Sequence, residues 1–206
     1  MQSGLKPLKG LRAVAGDPVN RAEYGEKEQL ILVDGKDREI GFDSKKNCHD
    51  SSGILHRAFS LFVFNSNNQL LLQQRSAQKR LWPLYWSNSC CSHPRRGETM
   101  TQAIGRRVQE ELGMGCSSSY LYKFEYHASF GTEGSEHELC WVFAGQSDEP
   151  VKANNEELND WRWVTAEELD EELEAHPDRF TPWFKLEWPR VREILLDIDG
   201  RYRGVA

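Results

Sequence analysis

The 206-residue chain is predicted to fold as an α+β domain, an α/β/α layered arrangement with helices on both faces of a mixed β-sheet. Three observations lead there. Segments of strand character come mostly in hairpins, separated by turn residues such as Asp34-Gly35 and Asn65 to Asn68. One of them, AFSLFVF at 58–64, is apolar on both faces, as a central strand covered from two sides must be. Between the hairpins lies a strongly amphipathic helix at 99–112. Such elements bury their apolar faces best as stacked layers.

In chain order, residues 1–27 mix early Gly and Pro with later charges and read as an N-terminal extension, leaving 28–200 as the domain. Strands are expected at 29–33 and 39–42, followed by a polar loop over 43–53. The 69–75 segment (QLLLQQR) reads as the hairpin partner of 58–64, and 86–93 is irregular by propensity though able to extend. In the helix, Met100, Ala103, Ile104, Val108 and Leu112 recur at helical spacing, and Gly113 ends it. Strands are expected at 120–130 and 137–144 around the turn GTEGSE, then at 161–164. Thr165 caps a helix starting at Ala166, and a last helix is expected over 188–197. The chain has no internal repeat.

Composition narrows the function. Hydrophobic residues make up 38% and charged residues 28%, enough for a packed core. A net charge of -6 argues against a general nucleic-acid binder, though a local cluster of cations could still receive an anion. No run of about 18 apolar residues suggests a membrane span. The first residues lack the apolar stretch of a secretory signal, and the chain ends Gly204-Val205-Ala206 rather than in a peroxisomal tripeptide, so cytoplasm is the expected compartment. Five cysteines without a CxxC pair imply reduced thiols rather than a four-cysteine zinc site.

Four constellations could carry chemistry. In SNSCCSHPRRGE (87–98), an extended backbone puts Ser89, Cys91 and His93 on one side and Cys90 and Ser92 on the other. Cysteines commonly just pack, but Arg95 and Arg96 nearby favour a thiolate. In SEHEL (135–139), Glu136 and Glu138 share a face opposite His137, at the mouth of an apolar strand, where two carboxylates repel unless a cation or shared proton relieves them. His49, His56 and His93 with those two glutamates would make a set suited to Zn, Mn or Fe. On the amphipathic helix, Arg107 with Glu111 and Arg106 with Glu110 stand four apart, as ordinary helical ion pairs do.

The same helix resembles the Nudix motif, Gly-x5-Glu-x7-Arg-Glu-U-x-Glu-Glu-x-Gly-U with U apolar. Glu98, Arg106, Val108, Glu110, Glu111, Gly113 and Met114 match; Ser92 stands at the first Gly and Arg107 replaces the Glu after Arg. That replacement argues against the pyrophosphohydrolase activity usual in the superfamily. A damaged Nudix box preceded by NSCCSHP is similar to the type I isopentenyl diphosphate isomerases. KKNCH, ILHRAFS, LLLQQRS, SEHEL and FTPWF occur in the expected order between about residues 29 and 188.

The resemblance implies conversion of isopentenyl diphosphate to dimethylallyl diphosphate in isoprenoid biosynthesis. It implies Zn2+ or Mn2+ at His49, His56, His93, Glu136 and Glu138, and Mg2+ held on the substrate diphosphate by Glu111. Cys91 and Glu138 would transfer protons, the cysteine at C2 and the glutamate with Tyr126 at C4, while Trp183 faces the cation. Lys45, Arg75, Lys79 and Arg107 would contact the diphosphate. A monomer acting on a small molecule, with no nucleic-acid or membrane partner, is the expectation. The rivals are an active Nudix pyrophosphohydrolase and a catalytically silent binding module with a structural metal.

Overall fold

A computed structural model describes residues 28–195. The first and last strands of interest are β1 (Gln29–Val33) and β9 (Leu158–Val164), and nine strands form one sheet. Its axis is β3 (His56–Phe64), and alternation along β3 divides the interior in two. Ala58, Phe62 and Phe64 face one core, while Phe59, Leu61 and Val63 face the other. The second core is closed by α2 (Met100–Leu112) through Ala103, Ile104, Val108 and Leu112. The first is closed by α3 (Ala166–Ala175) and α4 (Pro182–Leu195), with Phe184, Trp188 and Val191 fully enclosed. Helices on both faces of a mixed sheet are the layered α+β arrangement expected from the sequence. No described helix is long and apolar enough to cross a membrane.

β3 pairs along its whole length, in parallel, with β8 (Gly134–Gln146), which in turn pairs antiparallel with β7 (Ser117–Phe130). Its other edge is shared. β1 meets it at His56, β6 (Cys90–Ser92) along Phe59 to Leu61, and β4 (Leu70–Arg75) only at Phe64. The expected hairpin of β3 with β4 therefore splays after one residue pair, and β4 takes β9 as its main partner. The wedge is the 88–92 segment. Ser89 Oγ accepts from Val63 N at 2.8 Å and donates to Leu71 O at 2.7 Å, bridging the separated strands.

Local chemistry sets the element ends. Thr99 and Gln102 cap α2 reciprocally, and Gly113 closes it in the left-handed conformation. Thr165 and Glu168 do the same for α3. The polar loop over 43–53 holds a short helix, α1 (Lys45–His49), started by the Ser44 hydroxyl accepting from Asn47 N. β2 (Glu39–Ser44) runs two residues further than expected, and α4 begins at Pro182, six residues before the expected start. Proline suits a first helical turn, where its missing N–H costs nothing. The expected extension at 1–27 and the end of the last helix beyond residue 195 lie outside the described residues.

Gly134 opens β8 at φ +147°, where a side chain is strained, and a Cβ there would overlap the His49 carbonyl oxygen. Gly134→Ala is expected to cost about 2 kcal/mol or more in urea unfolding, since the overlap involves backbone. An unchanged midpoint would show that α1 packs on β8 more loosely than described.

Candidate active site

Strand register assembles the site. The parallel pairing of β3 with β8 sets His56 opposite Glu138, and β7 sets Tyr126 opposite the same Glu138. On the far edge of β3, β6 places Cys91 opposite Ser60. α1 brings His49 to β8, and His93 follows directly on β6. These groups surround one cavity of about 380 Å³.

At one end, His49, His56, His93, Glu136 and Glu138 are all buried, with candidate ligand atoms within 4.8 Å of one another. A carbonyl can only accept, so the Nδ1 contacts of His49 to Lys45 O (2.6 Å) and of His56 to Ile54 O (2.7 Å) place protons on Nδ1. Both Nε2 atoms then turn inward with their lone pairs. His49 Nε2 lies 2.8 Å from Glu136 Oε2, and His93 Nε2 lies 2.8 Å from Glu138 Oε1.

Protonating all three rings would crowd three cations, with ring centroids 4.8–5.2 Å apart. Burial and its two imidazole neighbours hold His93 well below its ordinary value. Glu136 raises the pKa of His49 against burial, but neutral His56 and His93 rings leave lone pairs facing carboxylate oxygens, and His56 Nε2 has no hydrogen-bond partner. Orphaned buried atoms of this kind are costly. A divalent cation removes both difficulties at once, and the five residues could hold one. The alternation on β8 is as expected: Glu136 and Glu138 face inward, while His137 turns out to Glu125 at 3.1 Å.

In the middle of the cavity, Tyr126 donates to Glu138 Oε2 at 2.8 Å. Burial opposes the charge on Glu138, but the neighbouring His56 ring and the hydrogen bond from Tyr126 keep its carboxyl below the ordinary range. Burial and the adjacent Glu138 keep the Tyr126 phenol protonated. Trp183, in the first turn of α4, is fixed by a 3.0 Å bond from Nε1 to Ser87 Oγ and lies 6.2 Å from the Tyr126 ring.

Cys91 donates to Asn88 Oδ1 at 2.7 Å, and burial, with Glu187 nearby, pushes its thiol up to about 12. Arg95 and Arg96 do not favour a thiolate as their sequence position suggested. Arg95 binds Glu28 at 2.6 Å and Arg96 lies over Phe42. Alternation separates Cys91 from Cys90, which is enclosed in the α2 core. It fails at the ends of the segment, where Ser89 bridges β3 and β4 and Ser92 lines the cavity.

At the other end stand Lys45, Arg75, Lys79 and Arg107, all on the cavity wall. Burial and the crowding of Lys79 and Arg107 lower the pKa of Lys45, with Glu28 and Glu157 opposing them in part. Arg75 spends Nε and Nη2 on Trp82 O and Leu81 O, so it holds the 81–82 loop as well as facing the cavity. Glu111 is buried behind the wall, bound to Arg107 through Nε at 3.0 Å. His56 also lies just behind the wall.

A model of the NUDIX domain matches residues 54–184. The chain is 42% identical over 172 residues to Isopentenyl-diphosphate Delta-isomerase 1 of Photorhabdus laumondii, covering 82% of this chain and 98% of that one. It is 37% identical over 181 residues to the Isopentenyl-diphosphate Delta-isomerase of Klebsiella pneumoniae, covering 86% and 98%. The chain belongs to the NUDIX family, within its isopentenyl-diphosphate Delta-isomerase group. The fold of this Nudix domain recurs in the Deinococcus radiodurans protein DR0079 (TM-score 0.66, 24% identity, 79% of this chain and 98% of that one). It recurs also in a MutT protein of Methanosarcina mazei (TM-score 0.55, 18% identity, 66% and 91%).

Sequence reasoning missed several groups in this Nudix pocket. Arg80 and Lys46 line it and share Asp50, at 2.5 and 2.7 Å. Glu157 joins Lys79 to Arg107 from a loop that carries no motif. The adjacency of Arg80 to Lys79 was an available signal; nothing local marks Glu157. Glu187 of α4 is fully buried, and burial raises its carboxyl to about 8 although Ser60 and Cys140 pull the other way.

Two measurements follow from this geometry. Metal analysis is expected to find a divalent ion that is lost in His56→Ala and Glu136→Gln, with a fall of several degrees in Tm on chelation; undiminished metal in both variants would remove the cluster as its site. The second concerns Glu187. Its folded pKa exceeds the ordinary 4.5, so the folded state holds a proton that the unfolded state has lost, and stability must fall as pH rises from about 4.5 to about 8. Glu187→Gln is expected to remove that decline, on the order of 4 kcal/mol before relaxation. An identical pH–stability curve would show that Glu187 ionises freely in the fold.

Proposed function

We infer that this chain isomerises isopentenyl diphosphate to dimethylallyl diphosphate, a step of isoprenoid biosynthesis. The observation that carries the reading is the placing of the Cys91 thiol and the hydrogen-bonded Tyr126–Glu138 pair around one aromatic cavity with a cationic far end. Relatives at about 40% identity carry this activity in their names.

The double bond moves from C3–C4 to C2–C3 when a proton is added at C4 and another is taken from C2. Protonating an unactivated alkene creates a tertiary cation, so water must be excluded. Trp183, Tyr126 and Leu81 wall that part of the cavity. The ring face of Trp183 could stabilise the cation by about 2 kcal/mol when desolvated. Glu138 in its acid form, with Tyr126, delivers the C4 proton, and Cys91 as its thiolate takes the C2 proton, which leaves Glu138 ionised and Cys91 as the thiol; because the reaction is reversible, that thiol and carboxylate are the acid and the base of the reverse direction.

Lys45, Arg75, Lys79 and Arg107 receive the diphosphate, and the -6 net charge of the chain is reversed locally by them. Arg107 offers a fork suited to phosphate. Mg2+ would accompany the diphosphate beside Glu111. Zn2+ or Mn2+ would sit at His49, His56, His93, Glu136 and Glu138, where its charge sets the proton affinity of the Glu138 carboxyl. The mixed imidazole and carboxylate set supports either ion. The working unit is a monomer in the cytoplasm, with a small-molecule substrate and no nucleic-acid partner. A hydrolytic role is disfavoured because Arg107 occupies the carboxylate position of the Nudix box and pairs with Glu111.

Purified protein with Mg2+ is expected to form dimethylallyl diphosphate without releasing phosphate. Cys91→Ala should lower kcat about 10²- to 10⁴-fold, whereas Cys90→Ala, altering the opposite core, should stay near wild type. Absence of turnover in the wild type, or full turnover in Cys91→Ala, would sink the assignment.

A further inference from the structure

Glu187 takes no part in the scheme above, yet it is a fully buried carboxyl whose Oε2 has no hydrogen-bond partner. Burial and the charge of Glu138 oppose ionisation of Glu187, while Ser60 and Cys140 offer it only neutral hydrogen-bond donors and no cation faces it. An apolar side chain of similar size would suit this core better. Glu187 Oε1 lies 3.5 Å from Cys140 Sγ, and Cys140 Sγ lies 3.5 Å from Ser60 Oγ. Ser60 Oγ in turn lies 3.8 Å from Cys91 Sγ. Four side chains thus make a continuous polar line from α4, through β8 and β3, to the sulfur in the cavity.

Counting protons gives that line a direction. Cys140 has one S–H and Ser60 one O–H. A Glu187 carboxylate could only accept, so Cys140 would turn its proton to Glu187 and leave the Ser60 oxygen without a donor. As the acid, Glu187 donates to Cys140, Cys140 to Ser60, and Ser60 to Cys91. Every hydrogen then points at the reacting sulfur, and each bond polarises the next. Burial without a counter-cation favours the acid.

The other neighbours of Cys91 do not supply this. Asn88 presents its amide oxygen, which accepts from the thiol and opposes a thiolate. Ser87 Oγ also lies 3.8 Å from Cys91 Sγ, but its one hydrogen is directed to the Asn88 oxygen at 3.0 Å. Ser60 is therefore the side-chain donor best placed to meet negative charge on the sulfur.

We propose that Glu187 is a positioning residue that aims the Cys140 and Ser60 donors at the Cys91 sulfur. The proposal rests on the reading of Cys91 as a proton-transferring group.

The test uses the full-length enzyme and the variants Glu187→Met, Glu187→Gln, Ser60→Ala and Cys140→Ala, with two readouts. One is the steady-state rate with isopentenyl diphosphate; the other is the rate of iodoacetamide capture at Cys91, resolved by peptide mass spectrometry. Losing an aligned donor to a charged sulfur is expected to lower kcat about 10- to 100-fold in Glu187→Met and Ser60→Ala, with KM little changed. Capture at Cys91 should slow in parallel. Glu187→Gln, which keeps a neutral donor, should recover most of both rates. The double variant Glu187→Met with Ser60→Ala should be no worse than either single one, because both break the same line.

Wild-type rates in Glu187→Met, or a fall in Glu187→Gln as deep as in Glu187→Met, would overturn the proposal. If Glu187→Met does not fold, Ser60→Ala and Cys140→Ala carry the same comparison, and unchanged capture in both would overturn it. A wild type that is captured at Cys91 but turns over no substrate would instead refute the proposed function, while the capture rates still decide the donor line.

Discussion

The parallel pairing of β3 with β8 is the constraint on which the rest depends. It carries nine register pairs, from His56 with Glu138 to Phe64 with Gln146. Side chains alternate with a period of two, so a slip of one residue would send every inward group outward. The slip would take Glu136 and Glu138 from the cavity, replace them by His137, and separate Tyr126 and His56 from their common partner. The apolar runs on both strands resist that slip, because it would also exchange the residues committed to the two cores. The position of the candidate site is thus enforced by hydrophobic packing along the same two strands, not by polar contacts alone.

Packing holds in place an arrangement that electrostatics alone would disperse. One end of the cavity gathers inward-facing imidazole nitrogens and carboxylates, and the other gathers Lys45, Lys79 and Arg107. Each end lacks the opposite charge that would complete it. Partial relief comes from within the protein: Glu157 joins Lys79 to Arg107, and Glu111 holds Arg107. Between the ends, burial keeps the Cys91 thiol and the Tyr126 phenol protonated. A cation among the imidazoles and carboxylates and an anion among the amines and guanidiniums would complete both fields.

Much of this was legible in the sequence, for reasons that differ by element. Period-two alternation suffices to separate Cys91 from Cys90 and to pair Glu136 with Glu138, since strand geometry is local. The layered fold follows from hairpins, one doubly apolar strand and one amphipathic helix. α1 was not legible, because five residues carry too little periodicity and a helix that short depends on tertiary support. The first turn of α4 was hidden by proline, which is a stop signal in most contexts and a start signal at Pro182. Arg95 and Arg96 misled because nearness in sequence is not nearness in space: after His93 the chain turns, and Glu28 and Phe42 claim them. Glu157 and Glu187 are defined by long-range contacts, and their own neighbours in the chain say nothing of them.

The altered Nudix box shows how one position can redirect a fold. In the usual motif the residue after Arg is a carboxylate; here it is Arg107, which turns an acidic helix face into a mixed one. Its guanidinium lies between Glu111 and Glu157 and reaches the cavity wall, and those two acids raise its pKa against the cost of burial. Such a cation cannot lose its proton in the working pH range, so it is suited to holding an anion and not to activating water. The groups proposed for proton transfer lie elsewhere, Cys91 on β6 and Glu138 on β8, which pair with opposite edges of β3. In the reading proposed above, the helix that carries the hydrolytic carboxylates of the usual motif would instead present a cation to the diphosphate.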